Sequence, residues 1–132
     1  MAPRGALFAQ YPEAAVAGVV SAANGRIYPL PLADEYETVA ASQTAQMLGT
    51  TGATDDYLEA VIIVPATTSP GAVQIKDGSA GAITIFAGGA SSVADLRPIA
   101  VRLGLRSVTS PSGGWQITTG ANVSAIAVGD FT

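Results

Sequence analysis

The segment at residues 57–86 constrains the fold more than any other part of the chain. Its run LEAVIIV at residues 58–64 is largely apolar on both of its alternating faces. A β-strand with two apolar faces is covered on both sides, as at the centre of a sandwich or at a subunit contact. Pro65 follows directly and ends the predicted strand, since proline cannot donate to a sheet ladder.

Two further strand patterns complete this segment. They occupy residues 72–76 and 82–86, and the second alternates cleanly between Ala, Thr, Phe and two Ile residues. The TSPG sequence at residues 68–71 turns the chain before them, and Asp77-Gly78 lies between them as a strong turn signal. We therefore expect a β-hairpin here, with a loop lengthened by the following Ser-Ala-Gly.

The remainder of the second half continues as short strands separated by turn residues. Strand patterns occur at residues 96–105, 115–118 and 123–128. The first of these is half-buried, with apolar side chains on one face and Arg102 and Arg106 on the other. Turn signals recur about every 8–12 residues, which is typical of an all-β antiparallel sandwich or small barrel. With two or three strands before residue 57, we expect about 7–8 strands.

The first 41 residues differ from the rest, and we divide the chain into residues 1–41 and a β-sandwich domain at 42–132. The Ala-rich stretch at residues 13–23 could form a short helix, although glycine and valines weaken it. Prolines keep YPLPL at residues 28–32 extended. The segment is either the first strands of the same domain or an arm that packs on a neighbouring subunit. Residues 43–54 are polar and are predicted to be a loop.

The composition is rich in hydrophobic residues and poor in charged ones. The 132 residues suit one domain, and 48% of them are hydrophobic while only 12% are charged. That share of charge is roughly half the ordinary one. It favours a protein that buries much of itself against partners, and we expect a homo-oligomer. The alternative is a monomer coated with Ser and Thr hydroxyls.

Several classes of function are excluded or disfavoured by what the chain contains. Histidine and cysteine are both absent, which excludes the usual zinc sites, Cys and Ser-His nucleophiles and disulfides. We expect no cofactor and no metal. No stretch approaches the roughly 18 uninterrupted apolar residues of a membrane span, and a signal peptide fits the N-terminus poorly. We therefore expect no membrane partner.

Charge is unevenly placed along the chain. Residues 1–66 hold two arginines against seven carboxylates, a net −5, whereas residues 67–132 hold four basic against three acidic groups, a net +1. No basic patch capable of neutralising a phosphate backbone is present, so nucleic acid is not expected as a partner.

Acidic clusters occur at residues 34–37 and 55–59. Paired carboxylates can serve acid–base catalysis or bind Ca²⁺, but neither cluster has calcium-loop spacing. We interpret both as solvated loop charge. An enzyme would have to use Lys76, the only lysine, beside the predicted hairpin turn, or paired aspartates. We expect a non-enzymatic protein with no catalytic residue.

A small set of residues is predicted to contact a partner. Trp115 is interpreted first as a core or interface anchor and alternatively as a ligand-stacking residue. The two arginines of the 96–105 strand pattern could meet carboxylates, including those of a neighbouring copy, or serve solubility alone. The candidate partner-binding residues are Trp115, Arg102, Arg106, Tyr28, Leu30 and Leu32.

The second half also resembles a known class of protein. The sequences that carry the resemblance are DYLE at residues 56–59, VPATTSPGA at 64–72, IKDG at 75–78, IFAGG at 85–89 and WQITTGANV at 115–123. Together they resemble small virion structural proteins of tailed bacteriophages, over roughly residues 45–132. This family brings no catalytic residues.

The resemblance implies a place in a virion, preferably on the capsid surface. The expected function is a capsid decoration or cement protein that bridges and stabilises capsid subunits, with the major capsid protein or another virion protein as partner. Such proteins commonly form trimers on capsid symmetry axes, so a trimer is the expected oligomer. The alternative is a neck, tail or fibre component with a carbohydrate- or receptor-binding role, using Trp115, Tyr57 and nearby polar side chains.

Overall fold

The structure, a computed structural model, describes residues 33–132 and two short strands that precede them, β1 (Val19–Val20) and β2 (Ile27–Tyr28). The chain divides into two compact units, Met1–Pro31 and Leu32–Thr132. In the first unit β1 pairs antiparallel with β2. Within residues 13–23, for which a short helix was considered, Val19–Val20 form a strand, as expected from two adjacent β-branched residues. The other residues of that stretch lie outside the described part of the chain.

The second unit is all-β, as predicted, and contains eight strands in its described residues. Their bounds are β3 (Glu35–Val39), β4 (Gln46–Met47), β5 (Tyr57–Pro65), β6 (Val73–Asp77), β7 (Ile83–Phe86), β8 (Ile99–Arg106), β9 (Trp115–Thr119) and β10 (Val123–Asp130). They form two antiparallel four-stranded sheets. Sheet I has the order β3-β10-β5-β8, and sheet II has the order β4-β9-β6-β7.

One hydrophobic core lies between the two sheets. Sheet I contributes alternate residues of β5 and β10, and sheet II contributes alternate residues of β6 and β9, as the two-residue period of a strand requires. The buried hydrophobic residues of this core are Val39, Leu48, Leu58, Val61, Ile63, Val73, Ile75, Trp115, Ile117, Val123, Ala125, Ala127 and Phe131.

A bulge in β5 changes which residues face the core. Leu58 points inward, the register shifts between Leu58 and Ala60, and the inward positions continue at Val61 and Ile63. An extra residue in one strand has this effect because it restarts the alternation. Ile62 and Val64 therefore face away from the core.

Among the described residues no further layer covers the outward side of β5. Ile62 and Val64 are only half-buried there, whereas the inward Val61 and Ile63 are completely buried. The sequence predicted that both sides of this strand are covered. Within the described residues, the core covers one side only. The other side is left as an apolar outer surface.

Two other expectations are resolved by the strand pairings. The predicted hairpin is confirmed, since β6 pairs antiparallel with β7 across Asp77-Gly78. The loop predicted at residues 43–54 is corrected: it contains the short strand β4 and the completely buried Leu48. Within residues 1–41, β3 is a strand of sheet I, which agrees with the first-strands alternative for that part of the segment.

Candidate interaction surface

The outward side of sheet I, called the outer face below, includes three rows of residues that lie opposite one another on neighbouring strands. The middle row is Tyr36, Val128, Ala60 and Arg102, and the next is Thr38, Ile126, Ile62 and Ala100. The third row is Asp130, Tyr57 and Arg106, with Asp34 beside it immediately before β3. These registers place each side chain with respect to its neighbours.

The centre of the outer face is apolar. Ile62, Ile126 and Val128 lie side by side on β5 and β10, and together with residues 33–36 they line an open groove of about 390 Å³. The neighbouring Tyr36 is 73% exposed. An apolar centre rimmed by tyrosine and arginine is the usual composition of a protein–protein interface, whereas small-molecule sites are concave and enclosed.

The β8 side of this face holds a polar cluster. Arg102 Nη2 lies 2.7 Å from Glu59 Oε1, and the other oxygen of Glu59 accepts a hydrogen bond from the hydroxyl of Tyr57. The guanidinium of Arg106 lies 5.3 Å from the centre of the Tyr57 ring, a cation–π distance. Gly104, with a φ of +65°, lies within β8 between the two arginines. The cluster fixes the positions of both guanidinium groups.

The contacts within this cluster determine the ionisation of Glu59 and Tyr57. The hydrogen bond from Tyr57 and the contact with Arg102 hold the pKa of Glu59 below its usual value, although partial desolvation opposes them. The same hydrogen bond raises the pKa of Tyr57. Glu59 is therefore a carboxylate and Tyr57 a neutral phenol at neutral pH. The cluster has one net positive charge from its two arginines and one carboxylate.

Sheet II presents a different surface. Its outward positions on β6, β7 and β9 are polar: Gln74 lies opposite Thr84 and Thr118, and Lys76 lies opposite Gln116. The amide of Gln74 donates to the Thr84 hydroxyl at 3.1 Å. This face is solvated in the ordinary way.

The structure separates the predicted partner-binding residues. Arg102 and Arg106 lie on the outer face, as the alternation in β8 predicted. Trp115 does not: its side chain is 3% exposed, and its indole N–H donates to the carbonyl of Asp56 at 3.1 Å. It is a core anchor, the first of its two interpretations, because its ring and its N–H are both satisfied inside the domain. An accessible contact through Trp115 is excluded in this fold.

The other three candidates belong to the N-terminal part of the chain. The backbone of Tyr28 pairs with Val19 in the β1–β2 ladder. Leu30 and Leu32 lie outside the described residues, and their predicted contacts with a partner stay predictions.

Besides Glu59, three carboxylates of the acidic clusters have internal partners. Glu37 accepts hydrogen bonds from the Gln46 side chain and from the Gly49 amide at 2.7 Å. Glu35 accepts from the amide of Phe131. Asp56 is buried and accepts from Thr132 and from the amide of Ala53. The expectation that both clusters are merely solvated loop charge is therefore wrong for these residues, which tie loops and the C-terminus to the sheets.

A second buried carboxylate was predicted only as part of a turn. Asp77, 7% exposed, accepts the Ser107 hydroxyl at 2.6 Å and the amides of Val108 and Thr109 at 2.8 and 3.0 Å. Burial by itself would raise the pKa of Asp77, but these hydrogen bonds outweigh it and hold the pKa below the usual value. These hydrogen bonds tie the end of β6 to residues 107–109, which follow β8.

No group of three or more Asp or Glu side chains is arranged to hold a metal ion in the part of the chain that the structure describes. The same residues include no helix long and apolar enough to cross a membrane.

The sequence analysis did not predict an apolar outer face on sheet I, although the sequence contains a pattern that indicates it. Residues 58–64 and 123–128 are apolar at both odd and even positions, and the second set of positions forms the centre of this face. Comparison of the chain with models of known families, with curated proteins and with solved structures found no match.

Proposed function

We propose that the protein is a non-enzymatic structural protein of a virion, a capsid decoration or cement protein that bridges and stabilises capsid subunits. The observation that carries the proposal is the apolar outer face of sheet I. In an isolated sandwich such a face is in water, and burying it in an assembly is favourable by about 25 cal/mol per Å². The place in a virion and the trimer come from the resemblance described above.

The proposed mechanism is mechanical. A capsid filled with DNA is under internal pressure, and its subunits are pushed apart at their contacts. A protein that adds apolar contact area between neighbouring subunits lowers the free energy of the closed shell relative to the open one. Low surface charge supports this function, since few charged groups have to be desolvated when such contacts form.

The receptor-binding alternative loses its main observation. It relied on an exposed Trp115 for stacking against a sugar, and that side chain lies in the core. Tyr57, its second aromatic, is also largely buried and has its hydroxyl bonded to Glu59. No other observation favours a carbohydrate site.

Copy number on purified virions tests the proposal. Quantitative mass spectrometry is expected to give a number of copies comparable to that of the capsid subunits, with the protein distributed over the head. A few copies at one vertex or along the tail would assign it to the neck, tail or fibre. A stable monomer that never enriches on particles would contradict the proposal altogether.

A matched pair of variants links the result to the outer face. Ile62→Asp places a charge at its apolar centre, and Thr84→Asp places the same charge on the outward side of sheet II. The first variant is expected to be lost from particles and the second to be retained. Equal retention of both would disconnect the outer face from assembly.

A further inference from the structure

The outer face is asymmetric in charge from one edge strand to the other. On the β3 side the outward groups are Asp34, Tyr36 and, on the adjacent strand, Asp130. On the β8 side they are Arg102 and Arg106. Between these edges lies the apolar centre on β5 and β10. The face therefore changes from acidic through apolar to basic over four strands.

This order makes the face complementary to itself. When two copies are placed face to face and related by a two-fold axis parallel to their strands, β3 of one lies over β8 of the other, and β10 lies over β5. Each row then meets the same row in reverse. A two-fold axis perpendicular to the strands would instead place acid over acid and arginine over arginine, which costs free energy.

We infer that the outer face of sheet I binds a second copy of this chain about a two-fold axis parallel to the strands. The inference rests on the proposed function, since it names the occupant of the face that carries that function. Aligned face-to-face packing of two sheets, with strands within about 30° of each other, is a common arrangement inside proteins. An isologous contact of this kind closes at two copies.

The contacts follow from the three rows. Asp34 lies opposite the partner's Arg106, and Tyr36 lies opposite the partner's Arg102, an arrangement suited to an ion pair and a cation–π contact. In the row that contains Thr38 and Ala100, Ile126 meets the partner's Ile62. Each contact occurs twice because of the symmetry.

The arginines are positioned for these contacts before any partner binds. Arg102 is held by Glu59 at 2.7 Å while 77% of its side chain stays exposed. Arg106 rests on the Tyr57 ring and donates to the carbonyl of Asp55 at 3.1 Å. Fixing a long side chain in advance lowers the entropy that association costs.

The size of the face predicts a weak contact. The three rows extend across four strands about 4.8 Å apart and along about five residues of each strand. Their projected area is therefore about 300 Å² per copy. A standard stable interface buries about 800 Å² per partner. Pairing is therefore expected to be partial in dilute solution and to become extensive when copies are concentrated on one surface, as on a shell. Trimers formed through another surface would be joined in pairs by this contact.

Sedimentation velocity over a concentration series up to about 1 mM tests the inference, because a contact near this strength is populated there. The full chain is expected to gain one two-fold association step with increasing concentration. Ile62→Asp is expected to weaken this step at least tenfold, while Thr84→Asp on sheet II leaves it unchanged. Thermal unfolding of both variants at low concentration establishes that each is folded.

Charge exchange tests the direction of the axis. Asp34→Arg and Arg106→Asp are each expected to weaken pairing, because each places like charges opposite one another. The double variant Asp34→Arg/Arg106→Asp restores the ion pair in reversed order and is expected to recover most of the loss. If the double variant pairs no better than the single ones, the proposed axis is wrong.

Other outcomes assign the face to other occupants and overturn the inference. Absence of the two-fold step throughout the series, together with protection of the face on particles, would assign it to the capsid protein and leave the proposed function standing. Protection of the Tyr36 side chain from hydroxyl-radical labelling at every concentration would assign the face to another part of the same chain. A two-fold step in a protein that is missing from particles would support the pairing and reject the decoration function.

Discussion

The two sheets of the sandwich share one core but present opposite surfaces outward. Sheet I has Ile62, Ile126 and Val128 at the centre of its outer side, and sheet II has Gln74 and Thr118 in the corresponding position. Both sheets are antiparallel and four-stranded, so strand order and packing do not explain the difference. What differs is the chemistry of each surface: sheet II presents polar side chains that water solvates, and sheet I presents an apolar centre for which we propose a partner.

The comparison also shows where the few charges are used. In the described unit, the arginines of β8 lie at the rim of the apolar face, while the buried carboxylates Asp56 and Asp77 hold loops. On its β8 side, the outer face of sheet I is thus bordered by two arginines that Glu59 and Tyr57 hold in position.

The largest expected effect comes from two neighbouring isoleucines of one strand. Ile63 is completely buried in the core and Ile62 lies on the outer face. Ile63→Ala is expected to lower the free energy of unfolding by about 3 kcal/mol through lost burial and a cavity. Ile62→Ala is expected to cost less than about 1 kcal/mol and to act mainly on association. Urea unfolding at low protein concentration measures both, and equal losses would mean that the outer position is covered within the monomer.

The next prediction concerns Asp77, the buried carboxylate at the end of β6 in sheet II. Asp77→Ala leaves the Ser107 hydroxyl and the amides of Val108 and Thr109 without their acceptor. We expect a loss of about 3 kcal/mol, the order of a buried charged hydrogen-bond network. Asp95→Ala is the control: it removes a highly exposed ion pair with Arg97 and is expected to change stability by less than about 0.5 kcal/mol. Similar values for the two variants would reject the structural role of Asp77.

The same carboxylate predicts a dependence of stability on pH. The pKa of Asp77 is lower in the folded than in the unfolded protein, so the unfolded chain takes up this proton first as pH falls. Its contribution is therefore complete above the unfolded pKa of about 3.9 and is lost as pH decreases through the folded value. Unfolding of the wild type and of Asp77→Asn is compared between about pH 2 and 6. The difference should shrink toward acid pH, and a constant difference would contradict the mechanism.

The features that sequence predicted are those that local pattern determines. Alternation along residues 99–106 predicted an arginine-bearing outer side of β8, and Asp77-Gly78 predicted the β6–β7 hairpin. The run at residues 58–64 is largely apolar on both sides, and this pattern could have indicated the apolar outer face. Pattern alone left open whether its second side is covered by the same domain or by a subunit contact.

The features that sequence missed depend on distant partners. The donors to Asp77 lie 30 to 37 residues away along the chain, so its role cannot be read from the turn that contains it. β4 is two residues long and follows Ala45, whose φ is +47°, which leaves no alternation to detect. The bulge between Leu58 and Ala60 sets the rows of the outer face, and a bulge position is fixed by pairing with the neighbouring strands.

The smallest effect on stability is expected from a variant whose sheet II has an apolar outer side like that of sheet I. This variant is also the sharpest test of the difference between the two sheets. Gln74→Val with Thr118→Val replaces a cross-strand polar pair with an apolar one. Two exposed hydrogen bonds are lost, one from Gln74 to Thr84 and one from the Ala45 amide to the Thr118 hydroxyl. Such pairs change stability by about 0.2–1 kcal/mol, and valine suits a strand. Because the variant has two apolar outer faces, it should associate beyond the single two-fold step. Sedimentation velocity measures this. If association is unchanged, then apolar content is not what distinguishes the two faces, and the rim of tyrosine, aspartates and arginines must provide the specificity of sheet I.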